Sequence, residues 1–435
     1  MAAKLLLLCS GTLGDVRPYL ALGQALQAAG YRVTIAGNAP GSDLVKSLDL
    51  AYAALDGDPH DLLLRSDYRG ALTPTGGWRR SLSASLRYVR DVQPVYEKMW
   101  RSAWRAACDI QPAGIVAGLP TTWGYHLAQG LSARGGDVPC IFAPLQPLSR
   151  TRSYPSAILP ATFSLGPAYN RLTHVVAEWS LWLPLRGALN RWRREQLGLP
   201  ALSFPGPFAE MADRGVPFVY GFSECVVPRP ADWPADHQVA GYWFLQDGGG
   251  WQAPDALRNF VHSSPPPVYV GFGSWPDAVV LPLLARLAQA FEQAGLRAVV
   301  SASAQAAREL APCASVLPIE YAPHDWLFRR MAAVAHHGGA GTTAAGLRAG
   351  VPAVCMPAGV DQCFWAGRIA SLGAGPPALP RRSLTAERLA GALRQASGDE
   401  GMRRQARRLG ECLAAEDGLG RAVAMIRDIV PQRAP

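Results

Sequence analysis

Apolar residues recur in short unbroken runs, separated by helix-length stretches of mixed polarity. Lys4–Ser10 is apolar almost throughout, which predicts a buried strand. Gly11–Arg17 follows as a glycine-containing loop. Pro18–Ala29 then reads as a helix, with proline in its first turn and Gly30 just past its end. Arg32–Gly37 is the next strand, and this β–loop–α–β unit opens a parallel α/β domain. The pattern restarts at Pro267, with strand Val268–Phe272, turn Gly273-Ser274, helix Leu281–Ala294 ended by Gly295, and strand Arg297–Ser301. Two such openings predict an α/β protein of two Rossmann-like parallel domains facing each other across a cleft.

The division follows composition. Residues 1–235 form the expected first domain and 236–255 a linker ending in Asp247-Gly248-Gly249-Gly250. Residues 256–415 form the second domain, and 416–435 a closing helix able to return to the first. The length, 435 residues, exceeds what one core supports. With 49% hydrophobic and 17% charged residues, a disordered or fibrous chain is excluded.

The net charge is +9 and almost all the excess is arginine, since the only lysines are Lys4, Lys46 and Lys98. Such a surplus admits nucleic acid, acidic lipid or a phosphorylated small molecule as partner. No nucleic-acid motif accompanies it, and the arginine clusters at 79–105, 191–194 and 403–408 read as surface with weak attraction to anionic membranes. The eight cysteines, Cys9, Cys108, Cys140, Cys225, Cys313, Cys355, Cys363 and Cys412, form no CxxC and no zinc spacing. They read as reduced core thiols of a cytoplasmic protein. The N-terminal apolar run is too short for a signal peptide, and no stretch approaches the roughly 20 apolar residues of a membrane helix.

The most informative segment is His336-His337-Gly338-Gly339-Ala340-Gly341-Thr342-Thr343. It lies between a short strand, Ala333–Ala335, and a helix, Thr342–Ala349, ended by Gly350. Small residues let a ligand approach the backbone, while free N–H groups and Thr342 hold an anion against the helix dipole. It is not a Walker loop, because no lysine follows the last glycine. Downstream, Asp361 and Gln362 stand between strand Ala353–Met356 and the next helix, with donors and acceptors suited to sugar hydroxyls. On position alone Asp361 is equally a helix N-cap. Upstream, Tyr321 follows another strand, placed to stack on a base or simply to pack.

At these residues the chain resembles inverting glycosyltransferases of the GT-B fold, family 1. It is most similar to the sterol 3β-glucosyltransferase branch and, more distantly, to bacterial natural-product transferases. The resemblance rests on Pro323-His324-Asp325-Trp326-Leu327-Phe328, on His336 to Leu347, and on Asp361-Gln362. Val268 to Ser274 and Gly11-Thr12-Leu13-Gly14-Asp15-Val16-Arg17-Pro18 also fit; residues 60–230 match in layout only. It implies a nucleotide-sugar co-substrate and no metal or other cofactor. Thr12, Gly14, Ser274, Tyr321, Ala322, His337, Gly339, Gly341, Thr342, Asp361 and Gln362 would bind it. Tyr321 would stack on the base, His337, Gly341 and Thr342 would hold the diphosphate, and Asp361 and Gln362 the sugar. The resemblance favours a UDP-sugar. Ala345 stands where plant-type relatives carry a ribose-binding glutamate, and the sterol branch also tends to have alanine there, so ribose recognition is loose and a dTDP-sugar stays open.

The resemblance makes Asp15 the general base, against the plainer reading that it caps the first helix. No histidine lies near it in sequence to form the histidine–aspartate pair of many plant relatives. Asp56-Gly57-Asp58 is a DxD, better read as a surface turn than as a metal site. Trp78–Trp104 and Glu178–Arg194 mix tryptophan and arginine at helical spacing. The default is a core face; the alternative is a lipophilic acceptor pocket or a membrane-facing surface, with Trp78, Leu82, Leu86 and Trp123 as acceptor contacts. The acceptor class is a sterol, terpenoid, polyketide, glycopeptide aglycone or lipid. Two competing readings are a UDP-sugar 2-epimerase on the same architecture and a non-catalytic activator of another transferase. A dehydrogenase is disfavoured, because Gly11-Thr12-Leu13-Gly14 lacks GxGxxG spacing.

Overall fold

The computed structural model describes residues 2–38, 41–64, 78–159, 163–246, 250–273, 275, 277–310, 315–359 and 361–432, with side chains at 60, 63, 64 and 78–86 outside the description. The expectations for Ser274, for the side chains of Trp78, Leu82 and Leu86, and for linker residues 247–249 therefore lie outside the described residues.

Two parallel sheets carry the fold. The first is seven-stranded, in the order β3-β2-β1-β4-β5-β6-β7. Its strands are β1 Lys4–Leu8, β2 Arg32–Gly37, β3 Ala51–Ala54, β4 Gly114–Ala117, β5 Cys140–Phe142, β6 Phe218–Tyr220 and β7 His237–Val239. The second is five-stranded, in the order β10-β9-β8-β11-β12. It comprises β8 Val268–Gly271, β9 Ala298–Ser301, β10 Val316–Ile319, β11 Val334–His336 and β12 Ala353–Cys355. Each sheet reverses its strand order beside its first strand, at β1/β4 and at β8/β11. Parallel sheets bind ligands at such switch points, beyond the carboxyl ends of the strands.

The continuous apolar runs have a direct physical cause. Leu5, Leu6, Leu7 and Leu8 are all fully buried, because β1 lies mid-sheet with helices on both faces. β7 belongs to the first sheet, and Ala240, Tyr242 and Trp243 are buried with that domain. The first domain thus runs past residue 235, into the span expected as linker. The Gly418–Ile429 helix packs Ala422, Val423 and Ile426 among Leu5, Leu20 and Ile35 of the first domain. Tyr31 Oη donates to the Val430 carbonyl at 2.7 Å, fixing the end of that helix.

The cysteine reading needs correction. Cys225, beyond β6, is disulfide-bonded to Cys412, on the Glu400–Ala414 helix of the second domain. Cys9, Cys108, Cys140, Cys355 and Cys363 are free. Residues 187 apart in sequence gave no local signal for this pair, so the cysteines are not all the reduced core thiols that were expected. Among the described residues no helix is long and apolar enough to cross a membrane.

Candidate functional site

The first helix begins at Leu13 rather than Pro18 and runs to Ala28, with Pro18 inside it. Thr12 and Asp15 explain the earlier start. Asp15 Oδ2 accepts from the Thr12 backbone N–H at 2.9 Å and from Thr12 Oγ1 at 3.0 Å, closing a capping arrangement that the expected start had ignored. Pro18 has no N–H to give the Gly14 carbonyl four residues back. That carbonyl faces the second domain instead: a Cβ built on Gly341 would lie 3.7 Å from it. Asp15, Gly14 and Gly341 thus meet where two helix N-termini approach across the cleft.

On the far side, the Ala340–Arg348 helix starts from Gly339 in extended backbone. Gly338 has φ of +90°, and a Cβ there would sit 2.9 Å from the Gln362 carbonyl, so the turn demands glycine. The His337 ring lies against two further glycines. A Cβ on Gly339 would come within 2.5 Å of its Nε2, and one on Gly273 within 2.7 Å of its Cε1. His337 Nδ1 is buried and has no hydrogen-bond partner among the described residues, and neither does Thr343 Oγ1 one turn into the helix. Burial pushes the His337 ring down to about 4, so it is neutral near pH 7 and carries one N–H. His336, next door, is a core histidine: fully buried, it accepts from the Gly338 N–H at 3.0 Å and is held down to about 3, first by burial.

Asp361 lies at the start of the Gln362–Ser371 helix but makes no side-chain cap. Its Oδ2 accepts instead from Trp365 Nε1 at 3.1 Å and, across the cleft, from Gln146 Nε2 at 3.1 Å. Burial raises its carboxyl to about 6 and the charge of Asp15 adds to the rise, while the two hydrogen bonds oppose it. The cap reading of Asp361 is therefore replaced by a cross-domain carboxylate. Gln362 Oε1 accepts from the Ala358 N–H at 3.0 Å, fixing the preceding loop.

Tyr321, at the end of β10, is 55% exposed, and Ala322 is buried beside it. Arg17 of the first helix lies near Tyr321 and Asp325 of the second domain, and burial lowers its pKa. Thr342 is half-buried in the first turn of its helix. Trp123 lies in the core of the first domain at 4% exposure. Trp100 and Trp192 pack against each other at 5.4 Å in the same core, which agrees with the default reading of the tryptophan-rich helices. In the DxD, Gly57 takes φ of +85° and Arg105 pairs with Asp56 at 2.9 Å, which makes it a turn beyond β3.

Sequence reasoning missed Gln146, Trp365 and Arg17. Gln146 follows β5 at a carboxyl strand end, and Trp365 stands four residues after Asp361 on one helical face; both signals were present.

Comparisons with known proteins bear on the fold and the family. Residues 293–423 match the family described as Erythromycin biosynthesis protein CIII-like, C-terminal domain. The chain is 34% identical over 446 residues to a sterol 3-beta-glucosyltransferase of Emericella nidulans, covering 98% of this chain and 30% of that protein. A sterol 3-beta-glucosyltransferase of Eremothecium gossypii is 33% identical over 433 residues, covering 97% of this chain and 33% of that protein. The chain thus spans about a third of the curated relatives it matches. Among solved structures, the calicheamicin glycosyltransferase CalG4 superposes with a TM-score of 0.70 at 18% identity, covering 100% of both chains. The glycosyltransferase VinC in complex with DTDP superposes with a TM-score of 0.67 at 19% identity, over 98% of this chain and 100% of that one. The fold is GT-B. Over nearly its whole length the sequence is similar to sterol 3-beta-glucosyltransferases.

Proposed function

We propose that the protein transfers a hexose from a nucleotide diphosphate sugar to a hydroxyl of a lipophilic acceptor, with inversion. The observation that carries this reading is the meeting of two helix N-termini, Asp15, His337 and Asp361 at facing switch points of two parallel sheets.

The diphosphate binds at the start of the Ala340–Arg348 helix. There the backbone N–H groups, Thr342 and the neutral His337 ring meet its charge without a metal. The buried Nδ1 of His337, without a partner among the described residues, supports this, since a buried nitrogen left unsatisfied costs about 1–3 kcal/mol. Asp361 and Gln362 take the sugar hydroxyls. Tyr321 offers an exposed ring to the base. UDP-sugars are favoured by the similarity to sterol glucosyltransferases, and the VinC complex keeps dTDP-sugars in view.

Asp15 removes the acceptor proton as the oxygen attacks the anomeric carbon. The carbon–oxygen bond to the diphosphate breaks on the opposite face, and its electron pair leaves with the nucleotide. Asp15 serves as cap and base together: the Thr12 bonds orient the carboxylate at the cleft. A mass-spectrometric screen of UDP- and dTDP-sugars against sterols and other lipophilic alcohols tests the assignment. A glycosylated product from at least one pair is expected, and a panel yielding only unreacted sugar contradicts it.

A further inference from the structure

The Pro167–Trp182 helix buries Ala177 and Trp182 and leaves further apolar side chains outside. Its buried side also carries four polar side chains, Asn170, Thr173, His174 and Glu178. Each of these is bonded to the loop beyond β5. Asn170 donates to the Arg152 carbonyl at 2.9 Å, and Thr173 Oγ1 accepts from the Ser156 N–H at 2.8 Å. His174 spans the Leu148 and Tyr154 carbonyls at 3.3 and 3.1 Å, and Glu178 pairs with Arg150. The outer side is apolar. Leu172 is 57% exposed, Val176 42% and Leu183 43%, spaced to share one helical face. Leu165, just before the helix, is 72% exposed, and Phe163 and Phe204 are 58% and 54% exposed.

Seven of the nine exposed large apolar side chains among the described residues fall between Phe163 and Phe204 in sequence, and Leu172, Val176 and Leu183 of these share one helical face. Its charge is equally one-sided. From Arg150 to Arg194 the chain holds seven arginines and a single acid, Glu178, which already faces Arg150. Arg152, Arg171 and Arg186 are exposed, and Arg186 lies over the Phe204 ring at 5.7 Å.

We infer that this face docks on an anionic phospholipid surface, with the leucine, valine and phenylalanine side chains at the acyl boundary and the arginines among the headgroups. An apolar helical face bordered by arginine is the chemistry of an interfacial helix, and the local charge selects anionic lipid over a neutral protein partner. The docked helix holds the 148–156 loop, which starts beside Gln146 in the cleft and carries Tyr154 against Phe364 of the second domain at 5.7 Å. Delivery of a lipophilic acceptor from the bilayer to that cleft rests on the function proposed above; the docking does not.

The test is co-sedimentation of the whole chain with vesicles of phosphatidylcholine alone or with 30% phosphatidylglycerol. Binding is expected to be at least tenfold tighter to the anionic vesicles and to weaken in 0.5 M salt. The triple variant Leu165→Ser, Leu172→Gln, Val176→Gln should lose at least tenfold in vesicle affinity while nucleotide binding and the circular dichroism spectrum stay unchanged. Equal affinity of variant and wild type, or no sedimentation with either vesicle, overturns the inference. So does light scattering that shows a dimer which the triple variant dissociates, because a second copy would then be the occupant. Each readout is independent of glycosyl transfer, so its failure leaves the proposed chemistry standing.

Discussion

Gln146 Nε2 of the first domain lies 3.1 Å from Asp361 Oδ2 of the second, and this bond ties the two domains together across the cleft. Trp365 donates to the same oxygen. Together the two bonds fix which way the carboxylate faces, and one of them exists only while the domains are together. Gln146→Ala should therefore weaken the nucleotide sugar about fivefold, the equivalent of one net hydrogen bond of about 1 kcal/mol, and leave the bare nucleotide unaffected. Calorimetry with the nucleotide and with its sugar checks this; equal losses for both would place Gln146 in general domain closure instead.

Asp361 also sets a pH dependence. Its carboxyl is raised to about 6, chiefly by burial, so it is ionised above that pH and neutral below. As acceptor of sugar hydroxyl protons it works ionised, and kcat/KM for the donor should fall as pH drops through about 6. Asp361→Asn should lower kcat/KM and flatten this limb. An unchanged limb in the variant would assign the titration to another group.

Stability should move with pH through the histidines. His324 and His337 are held to about 4 and His336 to about 3, in each case first by burial. An unfolded histidine titrates near ~6.5 and binds protons that the native ones refuse, so stability is lost as pH falls from about 6.5 toward 4. His126, His174 and His237 are also held down first by burial and act the same way, while Asp361, with its raised pKa, works in the opposite direction over an overlapping range, one group against six. Urea midpoints should be lower at pH 5 than at pH 7.5; a higher midpoint at pH 5 contradicts this balance.

The Cys225–Cys412 bond ties the strand end of the first domain to the last helix of the second. It works alongside Arg368, whose guanidinium donates to the Val226 carbonyl at 2.7 and 3.0 Å, and Ser223, which donates to Glu416 at 2.7 Å. Non-reducing peptide mapping should recover the linked pair. Cys225→Ser should cost about 2–4 kcal/mol of stability, the usual worth of a disulfide closing a long loop. Absence of the linked peptide in the oxidised protein would contradict the pairing.

The sequence made the two parallel sheets legible because each central strand is a continuous apolar run and each following loop is rich in small residues. His337 and Asp361 stood out for the same reason, lying at strand ends. What stayed hidden depends on distant partners. Pro18 looked like a first-turn residue because the Thr12–Asp15 bonds that start the helix earlier are side-chain geometry, not periodicity. Gln146 carried no motif, and its meaning appears only when Asp361 arrives from 215 residues away. The Cys225–Cys412 pair was invisible on the same ground. The Pro167–Trp182 helix has the periodicity of any amphipathic helix, which does not tell its inner face from its outer one.

The central claim is that Asp15 is the base of a glycosyl transfer whose donor sits on the facing helix. The most direct test is Asp15→Asn, read by nucleotide release from a UDP- or dTDP-sugar with a lipophilic acceptor, beside calorimetry of nucleotide binding. The side-chain amide keeps an oxygen able to accept from Thr12, so the helix start is preserved while the base is lost. Nucleotide binding should be retained and turnover should fall about 10²- to 10⁴-fold, the range for loss of general base catalysis. Wild-type turnover by Asp15→Asn would contradict the account.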